Sequence, residues 1–297
     1  MPSIDPETPS EEDMAHRTLK EVRTARPSRD GDGVAIQRIS GMRHAGMDPI
    51  LLLDELRAEN REDYIGGFPP HPHRGMQTLT YMLHGGIAHE DSEGNRGEIR
   101  GGGAQWMSAG RGIIHSEMPT RDSDGLHGFQ LWVNLAASEK DSAPRYRDLS
   151  AAELTQWRGE RGSARVISGT WQFPGEALEG PLAELAPRAA VLDLELLPDA
   201  ELALSVPAQD NLLGYVYQGA VSVAQRDAHV QQMFITGEGD TLALRAGQDG
   251  ARLLLMRGRP LGEPVANYGP FVMNTPEQIE QTLREYQTGQ FPQGAME

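Results

Sequence analysis

The sequence predicts an all-β protein: two similar β units in tandem, followed by a short C-terminal helix. Three observations carry this expectation. Short runs of β-forming residues recur about every ten residues, bounded by Gly, Pro or Asp, as in a sandwich or barrel. The run Tyr81 to Ile87 resembles Tyr215 to Val221, 134 residues on, and Gly103 to Gly110 resembles Gly239 to Gly247 at an offset of 136; two nearly equal offsets imply a duplication. Helical periodicity is scarce until the last thirty or so residues.

In chain order, residues 1–16 are acidic and Pro-rich and predict a mobile tail. Ile50 to Asp54 predicts a buried strand entered through a turn at Asp48-Pro49. Phe68 to Leu83 combines Pro, His and β-formers and ends in Gly85-Gly86, a strand and turn. Ala104 to Ala109, Ile113 to Met118 and Phe129 to Leu135 predict further strands. The polar stretch Ala136 to Arg147 places a boundary between a first domain over 17–148 and a second over 149–297, in line with a prior of about 150 residues per domain. At the end, Thr275-Pro276-Glu277-Gln278 has the form of a capping box with Pro at the first helical position. Ile279, Leu283 and Tyr286 then mark one helix face, and Gly289 a stop.

Composition narrows the function. With 27 Lys and Arg against 43 Asp and Glu, the net charge is −16 and the pI about 5.0. Such a surface repels phosphate, which argues against direct binding of nucleic acid and against anionic membranes. The chain has no Cys, so thiolate catalysis, disulfides and Cys-ligated metals are excluded, and any metal must be held by nitrogen and oxygen. The first residues show no secretory signal and no apolar run is long enough to span a bilayer, so a cytoplasmic location is expected. No Walker loop, Rossmann fingerprint or nucleophile elbow is present; Gly101 to Gly103 and Gly110-Arg111-Gly112 have no helix after them and predict turns.

The chemistry concentrates in two pairs. His71 and His73 stand at i, i+2, and His115 and Glu117 repeat that spacing. On a strand each pair shares one face, so two strands can bring three imidazoles and one carboxylate together inside a barrel. Such donors suit Fe, Mn, Ni, Co, Cu or Zn. An isolated His-x-His is ordinarily a solvated turn; two pairs are harder to dismiss. Carrying the repeat offsets forward places their counterparts near Ser205, Pro207, Arg252 and Leu254, none of them a histidine, so the fold itself does not require these groups. The other histidines carry weaker signals. His84 and His89 lie beside a Gly-Gly turn and near Glu90 and Asp91, which predicts solvation. His127 is expected in a loop, and His16, His44 and His229 show no pattern. Gln130 and Trp132 alternate on a strand and suit either a pocket wall or a core.

At these residues the sequence resembles the pirin family of bicupins. The resemblance rests on Leu51 to Asp54, Phe68 to Gly75, Gln105 to Pro119, Gln130 to Leu135, and Gly269 to Thr275 with its helix, and runs from about residue 34 to the end. It implies two tandem cupin barrels of jelly-roll type, with one mononuclear metal, usually iron as Fe(II), in the first. It carries His71, His73, His115 and Glu117 over as ligands. The cupin pattern often has a carboxylate where this chain has Gln77, which is expected as a neutral neighbour of the site. Four protein ligands on an octahedral ion leave two positions open. The resemblance further implies a quercetinase-type dioxygenase: a flavonol-like substrate is opened by O₂ with release of carbon monoxide, Glu117 doubles as base, and Trp132 and Met107 serve as apolar walls. Its runner-up is a metal- or redox-sensitive binding protein that regulates a protein partner. Behind these stand another metal-dependent oxygenase or isomerase, and a cupin that binds metal without turnover.

Overall fold

The structure, a computed structural model, describes residues 15–185 and 187–291. The expected mobile tail lies outside these residues as far as residue 14; His16 bridges to Thr241. Twelve strands fill the first half: β1 (Leu19–Thr24), β2 (Arg26–Asp30), β3 (Val34–Ser40), β4 (Ile50–Ala58), β5 (Phe68–His73), β6 (Met76–His84), β7 (Gly86–Asp91), β8 (Arg96–Arg100), β9 (Ala104–Ser108), β10 (Ile113–Pro119), β11 (Leu126–Asn134) and β12 (Arg145–Leu149). Seven form one antiparallel sheet in the order β12-β9-β6-β11-β4-β3-β2, and four form a second, β5-β10-β7-β8. Their inner faces pack together as the first cupin barrel. The second barrel is built on an eleven-stranded sheet whose long members are Asn211–Val223 and Thr241–Gly258.

Alternation along β6 and β11 divides the labour of the first sheet. Thr78 and Thr80 on β6 pair with Trp132 and Gln130 on β11, and these four face the barrel interior. Leu79, Tyr81, Phe129, Leu131 and Val133 face the other way, into an apolar cluster shared with Leu213, Tyr215, Met233, Leu254 and Met256 of the second barrel. That shared cluster is the seam between the barrels.

The seam makes the duplication visible. Tyr81 donates to Asp193 Oδ2 at 2.6 Å, and Tyr215 donates to Glu55 Oε2 at 2.8 Å. Strand registers make the two bonds equivalent: Tyr81 and Glu55 both pair with Phe129, and Tyr215 and Asp193 both pair with Leu254. Each barrel thus lends the other a tyrosine for a buried carboxylate. Tyr217 also donates to Asp193, at 2.5 Å. The match of Tyr81 to Tyr215 therefore holds in three dimensions. The match of Gly103 to Gly110 with Gly239 to Gly247 does not: Tyr81 pairs with Ala104 and Tyr215 with Met233, so β9 corresponds to Gln232–Thr236. Short Gly-bounded strands look alike, and only the ladder fixes which is which.

The chain ends cross the divide expected at residues 148 and 149. β1 pairs with Gln232–Thr236 of the second barrel, anchored by the buried Arg17, which donates to Thr236 Oγ1 and the carbonyls of Gly237, Pro207 and Asp210. In return the hairpin Ala266–Tyr268/Phe271–Met273 and the helix α1 (Pro276–Gln287) pack on the first barrel. The helix starts as the sequence predicts: Thr275 and Gln278 form a capping box, Pro276 opens the first turn, and Ile279 is buried. Gly75, at φ +77°, lets this block approach, since a Cβ there would stand 2.0 Å from the Val272 carbonyl oxygen. Lys140 fastens it, its buried ammonium donating to the carbonyls of Gly75 and Val272 and to Asn134 Oδ1 at 2.7 to 3.0 Å.

Two outcomes follow. Tyr81→Phe leaves the buried Asp193 one donor short, and the loss of a hydrogen bond to a charged group costs about 1.5–3 kcal/mol, read as a lower midpoint in denaturant unfolding. Lys140→Met strips three buried acceptors of their donor and costs at least about 1–3 kcal/mol near pH 7. Burial pulls the Lys140 pKa down to about 8 against an ordinary 10.5. Between those two pH values the unfolded chain binds more protons than the folded one. Wild-type stability relative to Lys140→Met therefore rises across that window and is flat below it.

Candidate metal centre

β5 and β10 are antiparallel neighbours, with His115 directly opposite His71 and Ile113 opposite His73. The ladder is irregular between His115 and Glu117, where the two prolines Pro69 and Pro70 lie opposite Ser116. His71, His73 and His115 converge: one nitrogen from each lies within 4.8 Å of the others, and the ring centroids are 4.4 to 4.9 Å apart. His71 Nδ1 faces the Pro69 carbonyl at 2.8 Å, so it carries the proton, and the Nε2 lone pair points at His73 Nε2, 3.1 Å away. His115 Nε2 is buried without a partner. His73 and His115 are held well below the ordinary imidazole pKa, first by burial and then by the neighbouring imidazoles. His73 Nδ1 is likewise buried without a partner, and His71 Nε2 and His73 Nε2 share one hydrogen-bond contact; three ring nitrogens gathered in this way suit a divalent cation.

Glu117 is buried on the same strand but stands outside the group of three. Both of its oxygens are held by interior residues of the facing sheet: Thr80 Oγ1 donates to Oε1 at 2.7 Å, and Gln130 Nε2 donates to Oε2 at 2.5 Å. Trp132 Nε1 donates to Gln130 Oε1 at 3.3 Å, and its ring meets His73 edge-on at 5.2 Å.

His71 and His73 line a pocket of about 740 Å³, together with Gln130, Trp132, Phe68 and Pro270 among others. One wall therefore comes from the C-terminal hairpin. Arg74, next in the chain to His73, ties that wall down: its backbone carbonyl accepts from Val272, and its side chain donates to Thr282 Oγ1 and Glu285 Oε2.

Four expectations change on the structure. Gln77 pairs with Val133 in unbroken register and so shares the seam-side face of Leu79 and Tyr81, not the interior face of Thr78 and Thr80. Met107 is buried with Ala109 and Ile113 rather than on the pocket wall. His127 lies on β11, not in a loop, and faces Glu55 Oε1 at 2.9 Å. His89 is not solvated: on β7 it turns inward, its Nδ1 3.4 Å from His115 Nδ1, and its Nε2 3.1 Å from Asp91 Oδ2. Burial works against ionisation of Asp91, but hydrogen bonds from His89 and Asn95 hold its pKa below the usual carboxylate value. His84 is exposed beside Asp124, as expected.

Register also identifies the counterparts of the candidate ligands. His71 pairs with His115, and Leu204 with Leu242; Ile87 pairs with Pro119, and Val221 with Ala246. With Ile87 equivalent to Val221, these ladders match His115 to Leu242, Glu117 to Leu244 and His71 to Leu204. All three leucines lie in the second barrel's apolar core. Turn lengths differ between the copies, so constant offsets miss these positions.

The pirin family model matches residues 34–133, and the model of the pirin C-terminal cupin domain matches residues 191–292. A Vibrio cholerae protein whose name gives quercetin 2,3-dioxygenase as a provisional activity is 44% identical over 93% of this chain and 98% of its own length. A pirin-like protein of Caulobacter vibrioides is 41% identical over 94% of this chain and all of its own. Among solved structures, a quercetin 2,3-dioxygenase from Acinetobacter baumannii superposes with a TM-score of 0.85 at 28% identity, covering 95% of this chain and 100% of its own. The chain belongs to the pirin family.

Proposed function

We propose that the protein is a metal-dependent dioxygenase of the quercetinase type, which opens the heterocycle of a flavonol-like substrate with O₂ and releases carbon monoxide. The observation that supports it most is the convergence of three imidazoles, two of which line a pocket whose size falls in the range of small-molecule sites, about 300–1,000 Å³. His71, His73 and His115 would hold the cation, and Glu117 would complete the set, since each of its oxygens keeps lone pairs beyond the hydrogen bonds from Thr80 and Gln130. The cation, for which Fe(II) is the first candidate, would supply Lewis acidity toward the flavonol 3-hydroxyl and a centre for O₂ chemistry.

The protein's own contributions are positional and protolytic. Trp132 and Phe68 offer apolar faces to a flat aromatic substrate, and Pro270 adds a further apolar wall. Glu117 takes the proton of the 3-hydroxyl, which leaves an electron-rich ring to react with O₂. Thr80 and Gln130 aim its carboxylate, and Gln130 in turn is held by the pocket residue Trp132.

Incubation of Fe(II)-loaded and Ni(II)-loaded protein with quercetin, with and without O₂, tests this. Flavonol absorbance should decay only in air, with carbon monoxide formed in equal amount. His73→Ala should lose bound metal and turnover together, and Glu117→Gln should lower kcat by about 10²-fold or more while retaining the flavonol. Metal-loaded protein that leaves the flavonol intact in air overturns the assignment. A metal-bound form inert to flavonols that captures a protein partner would establish the regulatory reading instead.

A further inference from the structure

Behind His115 lies a line of buried polar groups that the reaction above does not use. His115 Nδ1 faces His89 Nδ1, and His89 Nε2 faces Asp91 Oδ2, with the side chains of His89 and Asp91 fully enclosed. Asp91 is locked in turn: Oδ1 accepts from the backbone N–H groups of Glu93 and Asn95, and the Asn95 amide donates to both oxygens. The His89 ring is stacked on Tyr146 at 4.4 Å.

One carboxylate settles the protons of the whole line. An ionised Asp91 only accepts, so His89 must donate to it from Nε2. In a neutral His89 ring that leaves Nδ1 with a lone pair, and the group facing it, His115 Nδ1, then carries the hydrogen. His115 Nε2 is then left with its lone pair, and it is the nitrogen that the protein leaves without a partner. The second barrel supplies the comparison. Its ladder matches His115 to Leu242 and His89 to Val223, both fully buried in an apolar core. The fold closes there without a polar group, so the line is present only where imidazoles converge.

We propose that His89 and Asp91 are positioning residues for the cation centre: they fix His115 as the Nδ1–H tautomer, hold its ring plane, and thereby set the affinity of the triad for a divalent cation. This rests on the reading of His71, His73 and His115 as cation ligands. Partners of this kind behind a ligating histidine are worth about 10–100-fold in metal affinity.

The test measures Ni(II) affinity by competition with a chromophoric chelator, alongside the melting temperature of the metal-free protein. His89→Phe keeps the ring on Tyr146 and removes both the acceptor facing His115 and one donor to Asp91; it should bind Ni(II) about 10–100-fold more weakly, with a metal-free protein that still folds but melts lower for want of the bond to Asp91. His89→Gln returns an acceptor oxygen and should recover much of the loss. Independently of any variant, ¹⁵N–¹H spectra of the metal-free wild type should show His89 protonated at Nε2 and His115 at Nδ1. Equal Ni(II) affinity in wild type and His89→Phe, equal weakening in both variants, or the opposite tautomers each overturn the relay alone. Failure of the wild type to bind Ni(II) or Fe(II) overturns the relay together with the ligand assignment on which it rests.

Discussion

Period-two alternation along β6 and β11 is the constraint on which the rest of the molecule hangs. Thr78, Thr80, Gln130 and Trp132 look into the first barrel, and Leu79, Tyr81, Phe129 and Leu131 look into the seam with the second. A slip of one residue in either strand would exchange the two sets. It would drive Tyr81 into the site and leave Glu117 without Thr80 or Gln130, while setting polar groups against Leu213 and Met256. The site and the interface are two faces of the same ladders, so neither can drift without damage to the other.

The duplicated halves solve one packing problem in two ways. At the seam they keep the same solution, a tyrosine from each barrel donating to a carboxylate of the other. In the interiors they diverge. The second barrel fills its centre with Leu204, Leu242, Leu244 and Val223, which need no partners. The first puts His71, His115, Glu117 and His89 at the matching positions. Burying that many polar groups costs stability unless each is paired, and unpaired groups in such a network cost more than an apolar core would. The first barrel meets this demand for Glu117, His89 and Asp91 with protein donors and acceptors. It leaves His73 Nδ1 and His115 Nε2 without a protein partner.

Much of this is legible in the sequence because strand geometry maps directly onto spacing. His71/His73 and His115/Glu117 are readable as two same-face pairs, and the capping box at Thr275 fixes the helix start. His89 is not readable in the same way. Its neighbours Glu90 and Asp91 suggest a solvated segment, yet β7 turns Ile87, His89 and Asp91 inward while Glu90 reaches outward to Arg96. The signal available was the alternation itself, beginning at Ile87. Gln77 is misplaced by the converse error, since motif position alone does not say which face a strand residue takes. The exchange of the chain ends leaves no local trace, because the pairing of β1 with Gln232–Thr236 depends on residues more than two hundred apart.

That exchange also bears on the site. The pocket wall at Pro270 belongs to the C-terminal segment, and its attachment runs through the two residues that follow His73: Arg74 bonds to Val272 along the backbone and to Glu285 and Thr282 through its guanidinium, and Lys140 joins Gly75 to Val272. A separated first barrel would keep its three histidines but lose Pro270, Asn267 and the anchors of β5. The helix is thus better understood as part of the first barrel's site than as a cap on the second. The second barrel, with leucines at its centre, holds β1 and returns the chain so that its C-terminal hairpin lines the pocket.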